Sequence, residues 1–534
     1  MAAGRPSARR PSVGRPSAGR PSAGLLAACC AASGFVLLPL GVTVWNAAHA
    51  GAAVAAALLW RPLTGFLLLN TLRLIACAVL STGLLGTALA WAVERTDLPG
   101  KRRWAILAVV PLAIPPFITS YAWVSLSPAL ENFWGALLVV TVAYYPLVYL
   151  PVAAALREMD PALEETARSL GLSPTNMFVR IILPQLRPAL LGGVLLVALD
   201  VLVEFGAFAL LRFRTFTTAI YGAYRAGFSG AEPALLAMVL LLLCIACLTA
   251  EFFVRGRARY GRLGRGARRR AQNYPLGRWR LPVQAAFLAW TTLTIGVPLG
   301  MILYWLAQPG DAATAPVAAS FAAVAGAAWS SVYLGAAGAA LTMALALPLG
   351  VLAARYEGRL VTALERSAYL AQSIPGIVVA LALVSLTVHA LRPLYESTTL
   401  LVAAYAVLFL PLALVSVRAA LTQAQPALEE AGRSLGLGRA AVLMRISLPL
   451  AAPGLGAAAA LVFIAVTTEL TATLLLAPIG TQTLATQIWA DTSTLAFAAA
   501  APYAAVMAVM SMAASWLLAG RFGAASVFAA VGTV

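Results

Sequence analysis

Charge is what this 534-residue sequence has least of: 10% of its residues are Asp, Glu, Lys or Arg, against 61% from the apolar set. A soluble chain of this length would form about three or four domains and cover them with a surface about one quarter charged. The composition excludes a soluble enzyme and leaves a polytopic membrane protein, whose solvent is the bilayer. Lysine is nearly absent, Lys101 being the single one, which excludes Schiff-base chemistry at any other site. A phosphate-binding loop of the form Gly-x-x-x-x-Gly-Lys-Ser/Thr is excluded too, because Arg95 and Arg102 stand where its first Gly and its hydroxyl residue should be. The two histidines, His49 and His389, fall near expected span ends in opposite halves of the chain. All five cysteines lie inside apolar runs, so no disulfide framework is implied. Cys244-x-x-Cys247 has redox or metal spacing but sits in Leu-Leu-Leu-Cys-Ile-Ala-Cys-Leu without a second pair, which favours helix packing. No loop gathers the carboxylate, His or Ser/His sets that a membrane-bound enzyme would need.

Long apolar runs, by contrast, are abundant. A spanning helix needs about 20 mostly apolar residues, and twelve such stretches are expected, at 25–46, 66–93, 104–126, 134–156, 189–211, 233–254, 281–306, 326–354, 367–390, 398–420, 454–476 and 497–519. The expected fold class is therefore an all-α membrane protein. Before the first span, Arg-Pro-Ser-(Ala/Val)-Gly recurs every five residues, as in a disordered basic tail over residues 1–24, followed by an uncleaved helix rather than a secretory signal.

The chain carries 37 Lys+Arg against 19 Asp+Glu, a formal charge of +18. With the N-terminus inside, 31 of those 37 fall in cytoplasmic loops and tails, as the positive-inside rule requires. An odd number of spans would scramble that count, so the multi-pass chain is expected to have both termini cytoplasmic. Residues 255–280 alone hold ten arginines, at the midpoint of the chain. Such a run could bind nucleic acid, but beside apolar spans it reads as a linker facing anionic lipid headgroups.

That midpoint joins two copies of one unit. Residues 161–190 and 426–455 match at 16 of 30 positions without a gap, at a constant offset of 265. The matches include Glu164 with Glu429, Glu165 with Glu430, Arg168 with Arg433, Gly171 with Gly436 and Pro184 with Pro449, and the same offset pairs Pro146 with Pro411 and Glu204 with Glu469. Expected boundaries are a first repeat at 25–255, an Arg-rich linker at 256–280, a second repeat at 281–520 and a tail at 521–534. Six spans per repeat insert both copies in the same direction, as parallel repeats.

Locally the duplicated segment reads as a short capped helix. Asp160 caps it, Pro161 takes its first position, Glu164 and Arg168 form an i,i+4 pair, and Gly171 stops it with positive φ. Its second copy has the Pro426 start, the Glu429–Arg433 pair and the Gly436 stop, with Gln425 as a poorer cap. An amphipathic helix lying on the membrane would have the same local pattern; duplication at the same loop of each half instead suggests two docking elements for a two-fold partner.

The pattern Glu-Ala-Ala, three residues, Gly, nine residues, Ile-x-Leu-Pro resembles the signature loop of permease subunits of bacterial binding-protein-dependent ABC importers. Here it stands as Glu165-Thr166-Ala167, Gly171 and Ile181-Ile182-Leu183-Pro184, and again as Glu430-Ala431-Gly432, Gly436 and Ile446-Ser447-Leu448-Pro449. The resemblance implies a type I importer permease, in which each loop is a coupling helix seated on an ATP-binding subunit. It implies that ATP is bound by that separate, homodimeric partner, that a periplasmic or lipoprotein substrate-binding protein delivers the cargo, and that this chain holds no cofactor. Asn70-Thr71-Leu72, Glu94 to Gly100, Glu204-Phe205-Gly206, Arg214 to Tyr221, Ser373 to Gly376, Glu469 to Leu476 and Ala500 to Tyr503 are similar to ferric iron permeases. Thiamine permeases share the fused architecture, and polyamine or phosphonate permeases share the loop. A 6+6 transporter driven by an ion gradient would share the topology but not the loops.

Glu204 and Glu469 add a reading of their own. Each is expected about two thirds of the way along the span after the repeated loop, where ionisable groups are costly and face a pathway or bundle interior. Acidic groups there suit a cation and fit sulfate, molybdate or phosphate poorly; a structural alternative pairs either with an arginine such as Arg212.

Overall fold

The computed structural model describes residues 21–227, 230–257, 273–308, 320–423 and 426–522. Expectations about residues 1–20, the middle of the Arg-rich linker, Gln425 and residues 523–534 lie outside them. Among the described residues the chain is helical, with one isolated bridge between Thr96 and Tyr274.

The first half runs through α1 (Ala23–His49), α2 (Pro62–Arg95), α3 (Lys101–Leu107), α4 (Pro116–Leu126), α5 (Phe133–Glu158), α6 (Pro161–Ser169), α7 (Leu183–Val203), α8 (Gly206–Leu210), α9 (Phe216–Ala226) and α10 (Ala231–Arg257). The second half repeats the order, with α11 (Arg280–Thr291) and α12 (Val297–Ala307) together replacing α1. It continues with α13 (Phe321–Arg355), α14 (Arg359–Leu370), α15 (Gly376–His389), α16 (Thr398–Gln423), α17 (Pro426–Ser434), α18 (Leu448–Thr467), α19 (Thr471–Leu476), α20 (Leu484–Ser493) and α21 (Phe497–Phe522).

Among the described residues, ten helices are long and apolar enough to cross a membrane, and an eleventh crossing counts α3 and α4 as one bent pair. The expected twelve included two straight spans that are in fact broken. The break after α3 follows Ile114, which precedes Pro115-Pro116 and is held extended at ψ 113°, so the chain turns through 91° there. Its counterpart, Ile374 before Pro375, has ψ 111°, which leaves Gly376–His389 as an apolar helix of 14 residues. Proline also shapes the helices entered from the repeated loops. Its missing N–H and its ring disrupt the bond to the carbonyl four residues back, and π-turns occur at Phe178–Ile182 before Pro184, Leu443–Ser447 before Pro449 and Thr292–Gly296 before Pro298.

Each half has a core of three helices, α2, α5 and α7 in the first and α13, α16 and α18 in the second. Small residues let these backbones approach. A Cβ on Gly86 would lie 2.9 Å from Tyr149 N, and one on Gly193 would lie 2.8 Å from Val148 Cα, so α5 is gripped from two sides. The first span of each half then crosses to the other. α1 packs on α13, α14 and α15, with Asn46 donating to Ser385 Oγ at 2.9 Å. Span α11–α12 packs on the first half, where Trp290 meets Tyr145 at 5.5 Å and Phe287 meets Trp104 at 5.3 Å between ring centroids.

Candidate functional site

The two repeated loop helices, α6 and α17, have the local physics expected of them. Asp160 Oδ1 accepts from Ala162 N at 3.0 Å, and Gly171 and Gly436 hold φ of +79° and +86°. Their outer faces carry the exposed Glu165, Arg168 and Gly171 and, in the second copy, Glu430, Arg433 and Gly436. Beside them Leu170 is 76% and Leu435 84% exposed, one apolar side chain at the same end of each helix.

Glu164 and Glu429 behave differently from the expectation. Both are buried, and they point away from that face. Glu164 pairs with Arg95 at 2.8 Å rather than with Arg168, whereas Glu429 keeps the expected pair with Arg433, at 3.8 Å, and adds a closer one with Arg355, whose Nε lies 3.0 Å away. Arg95 and Arg355 end α2 and α13, so each ion pair fastens a loop helix to the core of its own half. A surface i,i+4 pair contributes only a few tenths of a kcal/mol; a buried arginine takes the carboxylate inward. Pro184 and Pro449 lie at the second position of α7 and α18, just beyond the π-turns, and shape the backbone rather than join the outer face.

Glu204 and Glu469 are not mid-helix. The helices stop at Val203 and Thr467, and each carboxylate folds over the start of the short helix that follows. Glu204 Oε1 accepts from Ala207 N at 2.8 Å, Tyr144 OH donates to Oε2 at 2.8 Å, and Thr217 Oγ1 donates to the Glu204 carbonyl at 2.7 Å. Glu469 Oε2 accepts from Ala472 N at 3.0 Å, and Thr473 Oγ1 donates to the Glu469 carbonyl at 2.8 Å. These bonds satisfy backbone groups that a broken helix leaves open. The two breaks meet at the interface of the halves, where a Cβ on Gly206 would lie 2.8 Å from Leu470 Cδ2; within the second half, one on Gly376 would lie 3.1 Å from Glu469 Oε1. Hydroxyls of Ser331, Tyr405, Thr467 and Thr483 line a small recess beside Glu469. Arg212 pairs with Glu131 at 3.3 Å rather than with Glu204.

The remaining candidates resolve simply. Cys244 is buried, and Cys247 Sγ donates to the Leu195 carbonyl at 3.5 Å, a packing contact. Nδ1 of His49 and of His389 lies against a backbone carbonyl four residues earlier. Sequence reasoning missed Arg95, Arg355, Tyr274 and Ser447. Arg95 and Arg355 differ by 260 positions instead of 265, so a fixed offset does not align them.

A helical chain of two like halves, each with apolar spans and the same short helix between two of its core helices, has the architecture expected of a membrane permease. Residues 82–255 and 346–520 each match the family described as binding-protein-dependent transport system inner membrane component. The chain belongs to that family. It is thus the membrane subunit of a binding-protein-dependent importer, not an enzyme, and works with ATP-binding and substrate-binding partners. The ion-gradient transporter is set aside. This chain is 37% identical over 476 residues, 89% of its length and 93% of the relative's, to the Fe(3+)-transport system permease protein FbpB 2 of Haemophilus influenzae. The molybdenum transport system permease protein ModB of Escherichia coli is 29% identical over 36% of this chain and 95% of its own length. The sulfate transport system permease protein CysT of Salmonella typhimurium is 31% identical over 26% of this chain and 55% of its own.

Proposed function

We propose that this permease imports ferric iron, that α6 and α17 are coupling helices docked on two equivalent ATP-binding subunits, and that both termini are cytoplasmic. The observation that carries the substrate is the similarity through both halves to an Fe(3+)-transport permease, whereas the molybdenum and sulfate permeases align over 36% and 26% of the chain. Two acidic groups at the meeting of the halves add negative potential of the sign a trivalent cation requires. Docking follows from duplication: two exposed helices with the same Glu, Arg, Gly and Leu at their outer faces suit a partner with two-fold symmetry. The orientation rests on the arginine asymmetry.

The test is uptake of labelled iron by cells whose only iron importer is this system. Glu204→Gln with Glu469→Gln preserves most of the capping hydrogen bonds and removes the charge, so it should leave co-purification with the ATP-binding subunit intact and lower uptake. Normal iron uptake by the well-expressed double variant would end the pathway role. Thiamine uptake without iron uptake by the unaltered protein would end the substrate reading.

A further inference from the structure

The segment Asn273–Arg280, which leads from the linker into the second half, lies across the first coupling helix. Tyr274 N donates to the Arg95 carbonyl at 2.7 Å, and Asp97 N donates back to the Tyr274 carbonyl at 3.2 Å. Asp97 Oδ1 accepts from Leu276 N at 2.7 Å, its Oδ2 pairs with Arg280 at 3.0 Å, and Lys101 Nζ donates to Asn273 Oδ1 at 3.0 Å. The Tyr274 ring lies 5.4 Å from Trp91 and 6.0 Å below the Arg168 guanidinium, while its hydroxyl donates to Glu164 Oε2 at 3.3 Å. One short segment thus holds the end of α2, the loop after it and coupling helix α6.

The second half meets the same need from within. Glu429 takes its hydroxyl donor from Ser447, at 2.7 Å, in the π-turn of its own half. The matching position in the first half is Ile182, fully buried and unable to donate. Where the first half has no such hydroxyl, Tyr274 of the segment entering the second half supplies one. Burial, and after it the Glu164 charge, push the Tyr274 hydroxyl above the usual phenol range, so it remains a donor.

We infer that Tyr274 is a positioning residue for energy coupling: Asn273–Arg280 stays clasped on α6 through the transport cycle and makes the first coupling helix move together with the first span of the second half. This rests on the reading of α6 as a coupling helix. The test uses the whole complex, with its ATP-binding subunit and binding protein, in lipid vesicles. For Tyr274→Phe, substrate moved per ATP hydrolysed should fall about two- to ten-fold, the range set by one hydrogen bond, and for Tyr274→Ala, which also removes the stacking, it should fall further. A ratio unchanged in both variants, whatever the yield of folded complex, overturns the proposal. Because these variants can also affect folding, a second arm cross-links Lys101→Cys to Asn273→Cys in a chain without other cysteines. Transport should survive the closed cross-link, and its loss would show that the clasp must open. Failure of the coupling reading is separate: Leu170→Glu would then leave association with the ATP-binding subunit untouched, whatever Tyr274 does.

Discussion

The two loop helices share sequence, a glycine stop and a buried carboxylate, yet they are fastened differently. Glu429 is held by Arg355 and Ser447, both from the second half, and Arg355 retains 18% side-chain exposure. Glu164 is held by Arg95, at 1% exposure, and by Tyr274, which enters from the other half. In a fused chain a single connection joins the copies, and it runs beside one coupling helix. The difference teaches that equivalent carboxylates need not draw on equivalent partners: a residue next to the connection supplies the hydroxyl in the first half, where Ile182 has none, and Ser447 supplies it in the second.

Removing the arginines should separate the two halves most strongly. Arg95→Ala leaves Glu164 buried without a cation, and breaking such a pair costs about 3–5 kcal/mol. Arg355→Ala should cost less, because its site is wetter and Ser447 and Arg433 remain beside Glu429. Thermal unfolding in detergent measures both, and equal losses would remove the contrast. Replacing both members of the first pair, Arg95→Leu with Glu164→Leu, should recover much of the stability, since no charge is then buried unpaired.

Smaller effects are expected at the helix stops, and there the halves should agree. Gly171→Asp and Gly436→Asp each place a side chain at positive φ, at a cost of about 1–2 kcal/mol, in space that is otherwise open. Each also adds a negative charge to the docking face. Folding and membrane insertion should survive while pull-down of the ATP-binding subunit weakens by a similar factor in both. Undiminished association and transport in both variants would refute the coupling assignment.

Much of this was legible in the sequence. The helical membrane fold, the duplication and the glycine stops follow from apolar runs, a constant offset and local turn chemistry, all of which can be read along the chain without knowing which distant elements touch. Two kinds of feature were not legible. Span ends at Val203 and Thr467 are set by carboxylates and hydroxyls capping a helix break, as Glu204 and Thr217 do, and an apolar count runs straight through them. The partners of Glu164 depend on contacts between distant elements: Arg95 lies 69 positions away, and Tyr274 lies 110 away in a segment that reads as linker. A signal for Arg95 and Arg355 did exist, since each closes an apolar span, but aligning them requires a five-residue shift between the copies.

The smallest effect concerns pH and sharpens the contrast by showing which clasp contacts titrate. Asp97 is held below the usual carboxylate range, first by the Leu276 N–H and then by Arg280. A depressed folded-state pKa contributes stability that is present above the unfolded value, about 3.9, and is lost as pH falls through the folded value. Tyr274, raised above the phenol range, keeps its proton throughout the neutral region. Neither group changes state between about pH 5 and 8, so over that range the clasp should be constant. Hydrogen exchange at the Leu276 amide, corrected for its intrinsic pH dependence, should show steady protection there and lose it only below about pH 4. The loop after α13 serves as the internal reference for general acid unfolding. Loss of Leu276 protection already near pH 6, with the reference unchanged, would mean that Asp97 does not hold the segment and that the backbone pairing with Arg95 carries it alone.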